Sequence, residues 1–249
     1  MKALPKNLLT IYGRKPVLEA LQDPSIAFFR VHLADSNRAG GIVQEIVDAA
    51  RQRNIEVCYH DRMGLSRISK NKKQDQGVAA DLVAKNFQIF DDFIENPPNR
   101  AYSILALDRI TNPQNLGMII RSISAGTLDA VLIPRQGCAK IDPLVIKASA
   151  GTLFKATVLF CDDLPAALQR AKQQGAAVFG FTLEDSTAIQ NIELTRPNIL
   201  VLGNETDGIS PATLRECNHR VHIPMRHGVE SLNVSVTAGI LGFRELFTR

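Results

Sequence analysis

Ser103-Ile104-Leu105-Ala106-Leu107-Asp108-Arg109-Ile110-Thr111-Asn112-Pro113-Gln114-Asn115-Leu116-Gly117-Met118-Ile119-Ile120-Arg121 is the stretch on which the fold turns. Its opening residues form an unbroken apolar run, as in a strand covered on both faces. A polar loop follows, and then apolar residues at helical spacing over 116–125, with Gly126 as a stop. The same alternation continues downstream. Strands are expected at 130–133, 156–160, 178–181, 199–202 and 220–223. Helices are expected at 142–150, from a cap at Asp162 to Gly175, at 211–217 behind Ser210 as cap, and at 234–247. Strands and helices in this order predict a parallel sheet with both faces covered. In such sheets ligands bind outside the carboxyl ends of the strands, which singles out the loops after Leu107, Leu202 and Ile223.

Upstream, Asn96-Pro97-Pro98-Asn99-Arg100 is a breaker cluster that no element interior tolerates. It divides the chain into an N-terminal domain at residues 1–84, a linker at 85–100 and a C-terminal domain at 101–249. Residues 86–95, aromatic and acidic, are free to dock on either side. The first domain reads as a small α/β unit. Strands are expected at 9–12, 29–34, 55–59 and 77–83, a helix after Pro16 and another at 42–53. Between the last two strands Arg62, Arg67, Lys70, Lys72 and Lys73 occur with no acid from 62 to 74. This is either a solvated loop or a loop that contacts phosphates.

Composition narrows the class. The chain has 249 residues, 45% of them hydrophobic, enough to bury a core without disulfides. Its net charge of +4 is a mild basic bias, compatible with a polyanionic partner. Cys58, Cys138, Cys161 and Cys217 are scattered and are expected to be reduced. No leader pattern and no membrane-length apolar run is seen, so a cytoplasmic protein with no membrane partner is expected.

The three loops carry the unusual residues. In the first, Asn112 and Asn115 stand near a helix start, as caps or as functional amides, and Arg121 follows three apolar residues. A partly buried arginine there would want an anion or a carbonyl; the alternative is a snorkelling surface side chain. The second loop, Gly203-Asn204-Glu205-Thr206-Asp207-Gly208, starts with a glycine placed to let a ligand approach backbone amides. It matches neither phosphate-cradling glycine pattern, and its two acids disfavour a phosphate, so a neutral or cationic ligand fits better. In the third, Ser231 and Asn233 precede a long apolar helix, as caps or as partners of other polar groups. His219 and His222 fall on opposite faces of the expected strand, and no carboxylate or cysteine follows at ligand spacing, so no metal site is expected.

Together, Asn115-x-Gly117-x-x-x-Arg121, Gly203-x-Glu205-x-x-Gly208, and Ile223-Pro224-Met225 through Ser231-Leu232-Asn233-Val234-Ser235 resemble the three signature motifs of the SpoU branch of the SPOUT methyltransferases. Ile11-Tyr12-Gly13-Arg14-Lys15-Pro16-Val17-Leu18-Glu19-Ala20-Leu21 and Asp75-Gln76-Gly77-Val78-Ala79-Ala80 resemble the accessory domain of SpoU enzymes that modify large-subunit ribosomal RNA. The resemblance implies an α/β fold. Its C-terminal parallel-sheet domain would carry a deep trefoil knot, and its small N-terminal α/β domain would be a ribosomal-protein-like RNA binder. It implies methyl transfer from S-adenosylmethionine to a ribose 2′-hydroxyl, on ribosomal RNA ahead of transfer RNA, by a homodimer.

The resemblance also assigns roles. Arg121 is placed at the target hydroxyl. A neutral arginine is costly at pH 7, so phosphate binding or oxyanion stabilisation is the expected action, and a base role is open only where burial or a local cationic field shifts the group. Asn115 orients Arg121 or the ribose, and Glu205 anchors the second loop or holds Arg121. Ser231 and Asn233 hold the third loop near substrate and partner. Gly203, Ile223 and Leu232 contact the cofactor, largely through backbone. Arg14, Lys15, Arg67, Lys70, Lys72 and Lys73 are the expected RNA contacts. The competing class is a non-catalytic RNA-binding assembly factor with the same fold.

Overall fold

The computed structural model describes residues 7–38 and 40–247. Residues 1–6 and 248–249, the outer ends of the two expected domains, lie outside the described residues, as does Ala39. The chain divides into two compact units, Met1–Lys85 and Asn86–Arg249.

The first unit is built on a four-stranded sheet of order β1-β4-β2-β3, from β1 (Leu8–Tyr12), β2 (Phe28–Ala34), β3 (Glu56–His60) and β4 (Val78–Val83). Only the β2–β3 pairing is parallel. The amphipathic helices α1 (Arg14–Gln22) and α2 (Gly41–Gln52) bury Val17, Ala20 and Leu21, and Val43, Ile46, Val47 and Ala50. The basic stretch read as a loop is in part a helix, α3 (Arg62–Ser69). Asp61 caps it by accepting from the Gly64 amide at 2.6 Å. Leu65 anchors it, packed with Ala34 and Ala79.

One sheet face carries a chain of side chains across all four strands. Thr10 Oγ1 donates to Asp81 Oδ1 at 2.7 Å, His32 Nε2 lies 2.9 Å from Asp81 Oδ2, and His32 Nδ1 lies 2.9 Å from His60 Nε2. With Asp81 ionised, His32 donates to it and accepts from His60. Protonating both rings would set two N–H groups against each other. Burial, then the neighbouring His32, holds His60 below its ordinary value of 6.5, against the pull of Asp35 and Asp61 and with help from Arg30. For Asp81 burial acts upward, but the hydrogen bonds from His32 and Thr10 and the charges of His32 and Arg30 prevail and hold it below 3.8. Both groups therefore bind fewer protons folded than unfolded. The stability they confer is present above those values and lost on acidification. The melting temperature should fall as pH drops from about 7.5 to 5.5, through the ordinary histidine range, and less steeply in His60→Gln; parallel curves would refute the assignment.

The second unit is an eight-stranded, all-parallel sheet of order β10-β12-β9-β11-β6-β7-β8-β5. Its strands are β5 (Phe87–Ile89), β6 (Ser103–Leu107), β7 (Ala130–Pro134), β8 (Val158–Cys161), β9 (Ala177–Phe181), β10 (Thr187–Ala188), β11 (Asn198–Leu202) and β12 (His219–His222). β6, β7 and β11 are buried along their whole length, as their apolar runs require. The expected linker is not wholly a linker. β5 adds to the sheet edge beside β8, and α4 (Phe90–Glu95) buries Phe90, Phe93 and Ile94, so aromatic burial prevails over the acidic residues between them.

Helices α5 (Pro113–Ala125), α6 (Pro143–Ala148), α7 (Leu164–Gln173), α8 (Pro211–Arg215) and α9 (Val234–Phe247) complete the unit. α7 is capped by Asp163, whose carboxylate accepts from the Ala166 amide at 2.8 Å, and not by Asp162. α5 packs against α6 and α9. Its closing Gly126 meets Gly242 so closely that an added β-carbon would stand 2.2 Å from the Gly242 carbonyl oxygen. Strand order reverses between β6 and β11, so the loops that follow them open side by side at the crevice.

Candidate functional site

Asn112 caps α5, its Oδ1 accepting from the Gln114 and Asn115 amides at 2.8 and 3.4 Å, with Pro113 in the first turn. The helix so begun presents Asn115, 6% exposed, to the two other loops. Asn115 Nδ2 donates to Glu205 Oε1, and Asn115 Oδ1 accepts from Asn233 Nδ2 at 3.2 Å. Asn233 Oδ1 accepts in turn from the Ser235 amide at 2.8 Å and from Ser235 Oγ at 2.6 Å. Asn233 is therefore both the cap of α9 and a link to α5. One side-chain chain thus joins the loops after β6, β11 and β12.

The loop after β11 is a tight turn. Asn204 and Gly208 exchange backbone hydrogen bonds of 3.0 and 2.9 Å, and Asn204 Oδ1 accepts from the Thr206 and Asp207 amides. Gly203 is needed here for a reason beyond the expected one. A β-carbon on it would lie 2.1 Å from the Gly208 carbonyl carbon and 2.2 Å from the Ile209 nitrogen. On the side where a β-carbon would stand, the space is taken by the chain's own turn.

Beside this turn lies a cleft of about 580 Å³, within the range of small-molecule sites. It brings together Gly203, Ile223 and Leu232, and Glu205 and Ser231 also line it. Asn115 and Asn233 stand just outside, connected through Glu205. Its walls hold the acids Glu184, Glu205, Asp207 and Glu230, and no lysine or arginine among the described residues. Phe181, Leu183, Leu202 and Val221 supply apolar surface. Such a cleft suits a ligand with flat apolar parts and positive charge, and repels phosphate. Burial pushes the Cys138 thiol, 3.6 Å from the Leu107 carbonyl, above its ordinary value, and Cys217, against Gly180, to about 12. Neither is a thiolate nucleophile at neutral pH.

Arg121 takes the surface position that the sequence left open as an alternative. It is exposed, on an α5 stripe with Gln114 and Met118, and does not line the cleft. Glu205 is held by Asn115 and not by Arg121, so the role of anchoring the second loop is the one the geometry fits. Ser231 is exposed. His219 stacks on Phe179, while His222 Nδ1 lies 2.9 Å from Ser186 Oγ, so the two rings have separate partners.

In the first unit Lys15, Arg67, Lys70, Lys72 and Lys73 are exposed. Arg14 differs. Its Nε donates to the Gln76 carbonyl at 3.1 Å and its Nη2 to Asn37 Oδ1 at 3.2 Å, which fixes the 70–77 loop against the start of α1. Sequence reading missed Asp108, Arg109 and Asn204, which fasten the first two loops together, and Ser235. Only Ser235, as a small polar residue in an apolar helix, left a signal.

Comparison with known proteins bears on both units. Residues 102–243 match the SpoU rRNA Methylase family, and residues 10–88 match the family described as RNA 2'-O ribose methyltransferase substrate binding. A protein of Mycolicibacterium vanbaalenii named uncharacterized tRNA/rRNA methyltransferase is 33% identical over 235 residues, covering 93% of this chain and 74% of that one. The AdoMet-bound rRNA methyltransferase of Sinorhizobium meliloti has the same fold, with a TM-score of 0.64 at 22% identity, over 98% of this chain and 89% of that one. A structure concerning 2-OH methylation of C/U34 on tRNA is similar with a TM-score of 0.53 at 25% identity, over 61% of this chain and 100% of that one.

Proposed function

The chain belongs to the SpoU rRNA methylase family, and on that premise we propose that it transfers a methyl group from S-adenosylmethionine to a ribose 2′-hydroxyl of RNA, that of the large ribosomal subunit. The observation that carries this reading is the meeting of the three motif stretches through Glu205, Asn115 and Asn233 beside an acid-lined cleft. The cleft fits the cofactor. Acids without a lysine or arginine favour a sulfonium and an ammonium, and the apolar walls favour an adenine ring. When bound, the cofactor supplies an activated methyl group. Gly203, Ile223 and Leu232 would hold it, and the Glu205–Asn115–Asn233 chain keeps the loops that carry them in register. Alignment of two reactants in this way removes on the order of 7–11 kcal/mol of barrier.

Arg121 would bind the RNA phosphate or steady the charge developing on the ribose oxygen, since arginine keeps its proton at neutral pH. It does not line the cleft of its own chain, which supports a site completed by a second copy. Val236, Ile240 and Phe247 recur along one exposed face of α9, at 50%, 42% and 82% exposure, and Met118 on α5 reaches Ser235 at 3.9 Å. A surface stripe of this kind is a docking face. Ile240→Glu should give monomers by light scattering and lower methyl transfer at least tenfold, because an unpaired carboxylate in an apolar interface is costly. A dimeric, active variant would refute the pairing. The knotted path belongs to the same proposal. The tightness of the chain at Gly203 and at Gly126 against Gly242 is in keeping with it.

The exposed Lys15, Arg67, Lys70, Lys72 and Lys73 would contact RNA phosphates and make its affinity salt-dependent, while Arg14 acts as a strut. The rRNA methyltransferase of similar fold matches 98% of the chain and the tRNA-related structure 61%, which favours ribosomal RNA; transfer RNA is the second reading.

The test is transfer of labelled methyl groups to ribosomal and transfer RNA, followed by alkaline hydrolysis. A 2′-O-methyl group blocks cleavage of the next phosphodiester, so label in alkali-resistant dinucleotides of ribosomal RNA is expected. Label in mononucleotides would mean base methylation and overturn the reading. RNA binding with no transfer would favour the non-catalytic assembly factor.

A further inference from the structure

Arg109 occupies a position that a residue with a β-carbon avoids. Its φ is 61°, in the left-handed region, in the loop that follows β6. Such a conformation persists where the surroundings over-determine it. Here the surroundings are the turn after β11. Arg109 Nη2 donates to the Gly208 carbonyl at 3.2 Å, and Nη1 lies 3.5 Å from Asp207 Oδ2. The Arg109 carbonyl accepts from Asn204 Nδ2 at 2.9 Å. The neighbouring Asp108 accepts from the Ser210 amide at 2.6 Å, and its own amide donates to the Leu202 carbonyl at 2.8 Å. The turn is therefore tied at both its ends and its tip to two consecutive residues of another loop.

The closing end of the turn is the decisive part. Gly208 carbonyl is the acceptor for the Asn204 amide that closes the turn, and the guanidinium adds a second, charged donor to it. Asp207, which would otherwise add a free carboxylate to the cleft wall, is turned toward the same guanidinium. Arg109 itself does not line the cleft. We infer that Arg109 is a positioning residue, which holds the 203–208 turn closed and thereby sets how tightly this chain takes S-adenosylmethionine. The inference rests on the function proposed above for what the cleft binds, but the hold on the turn does not.

The test compares the full chain with Arg109→Ala, Arg109→Lys and Arg109→Gly. Glycine at this position relieves the backbone strain while removing the brace, so it stands in if the alanine variant folds poorly. Amide hydrogen exchange should quicken about tenfold at Asn204 and Gly208 in the alanine and glycine variants and remain unchanged in the first unit. The dissociation constant for S-adenosylmethionine, measured by calorimetry, should rise about tenfold, with lysine intermediate. At saturating cofactor the turnover of labelled methyl should stay within about twofold, because a positioning loss of this kind is overcome by occupancy. Unchanged exchange and unchanged affinity would overturn the inference, as would a uniform rise in exchange with turnover lost in the same proportion. A wild-type chain that takes up no S-adenosylmethionine would overturn the enzyme reading and the affinity claim, and the exchange arm would decide the brace by itself.

Discussion

Asn115→Asp should reduce methyl transfer by roughly a hundredfold to a thousandfold, taking about 3–4 kcal/mol off the stabilisation of the assembled site. The substitution is nearly isosteric but reverses one donor. In the native chain Asn115 Nδ2 donates to Glu205 while its Oδ1 accepts from Asn233. A carboxylate in its place still accepts from Asn233 but confronts Glu205 with a like charge in a position that is 6% exposed. Like charges so placed repel, and either the pair takes up a proton or the second loop moves away. Calorimetry should show weaker cofactor binding alongside the kinetic loss. Adding Glu205→Gln turns the donor around, because the new amide can donate to the new carboxylate, and should recover at least tenfold of the lost affinity. No recovery would mean that the charge of Glu205, and not its bond to Asn115, is what matters.

Gly203→Ala is the second large effect expected. The added carbon would meet three backbone atoms of the facing turn, at 2.1, 2.2 and 2.3 Å. Backbone cannot swing aside as a flexible side chain does, and this turn is closed by the Asn204–Gly208 pair and tied to Arg109. The turn must shift as a body, away from the cleft it lines. Overpacking of this kind costs about 1–3 kcal/mol, which is roughly 3–10 °C in melting temperature for a chain of this size. Cofactor affinity should fall as well, by about a hundredfold, because the displaced segment is the cleft wall itself. Binding at wild-type strength would show that the turn and the cofactor do not touch.

How far the sequence could be read depended on the range of the interaction. β6 and α9 were located to the residue from apolar pattern alone, since burial on both faces and helical spacing are local properties. α3 was not, because a charged surface hid a core contact resting on Leu65 and its neighbours. β5 and α4 read as linker in the sequence because Asp91, Asp92 and Glu95 mask Phe90, Phe93 and Ile94. At the site, Asn115, Glu205 and Asn233 could be named, but not who bonds to whom. Their partners lie 90 and 118 residues apart, and nothing in spacing distinguishes an Asn115–Glu205 pair from an Arg121–Glu205 pair. At Gly203 the sequence does not show that the chain's own turn also requires a glycine, since an empty β-carbon position looks the same whether a ligand or the chain faces it. Arg109 left no trace, because left-handed backbone at an arginine is imposed from outside its own segment.

The double duty of Asn233 has a kinetic corollary. The amide that starts the closing helix is also the one that reaches across to Asn115, so unravelling of the first turn and loss of the site are a single event. Heat would then silence the protein before it melts, with the C-terminal helix as the fuse.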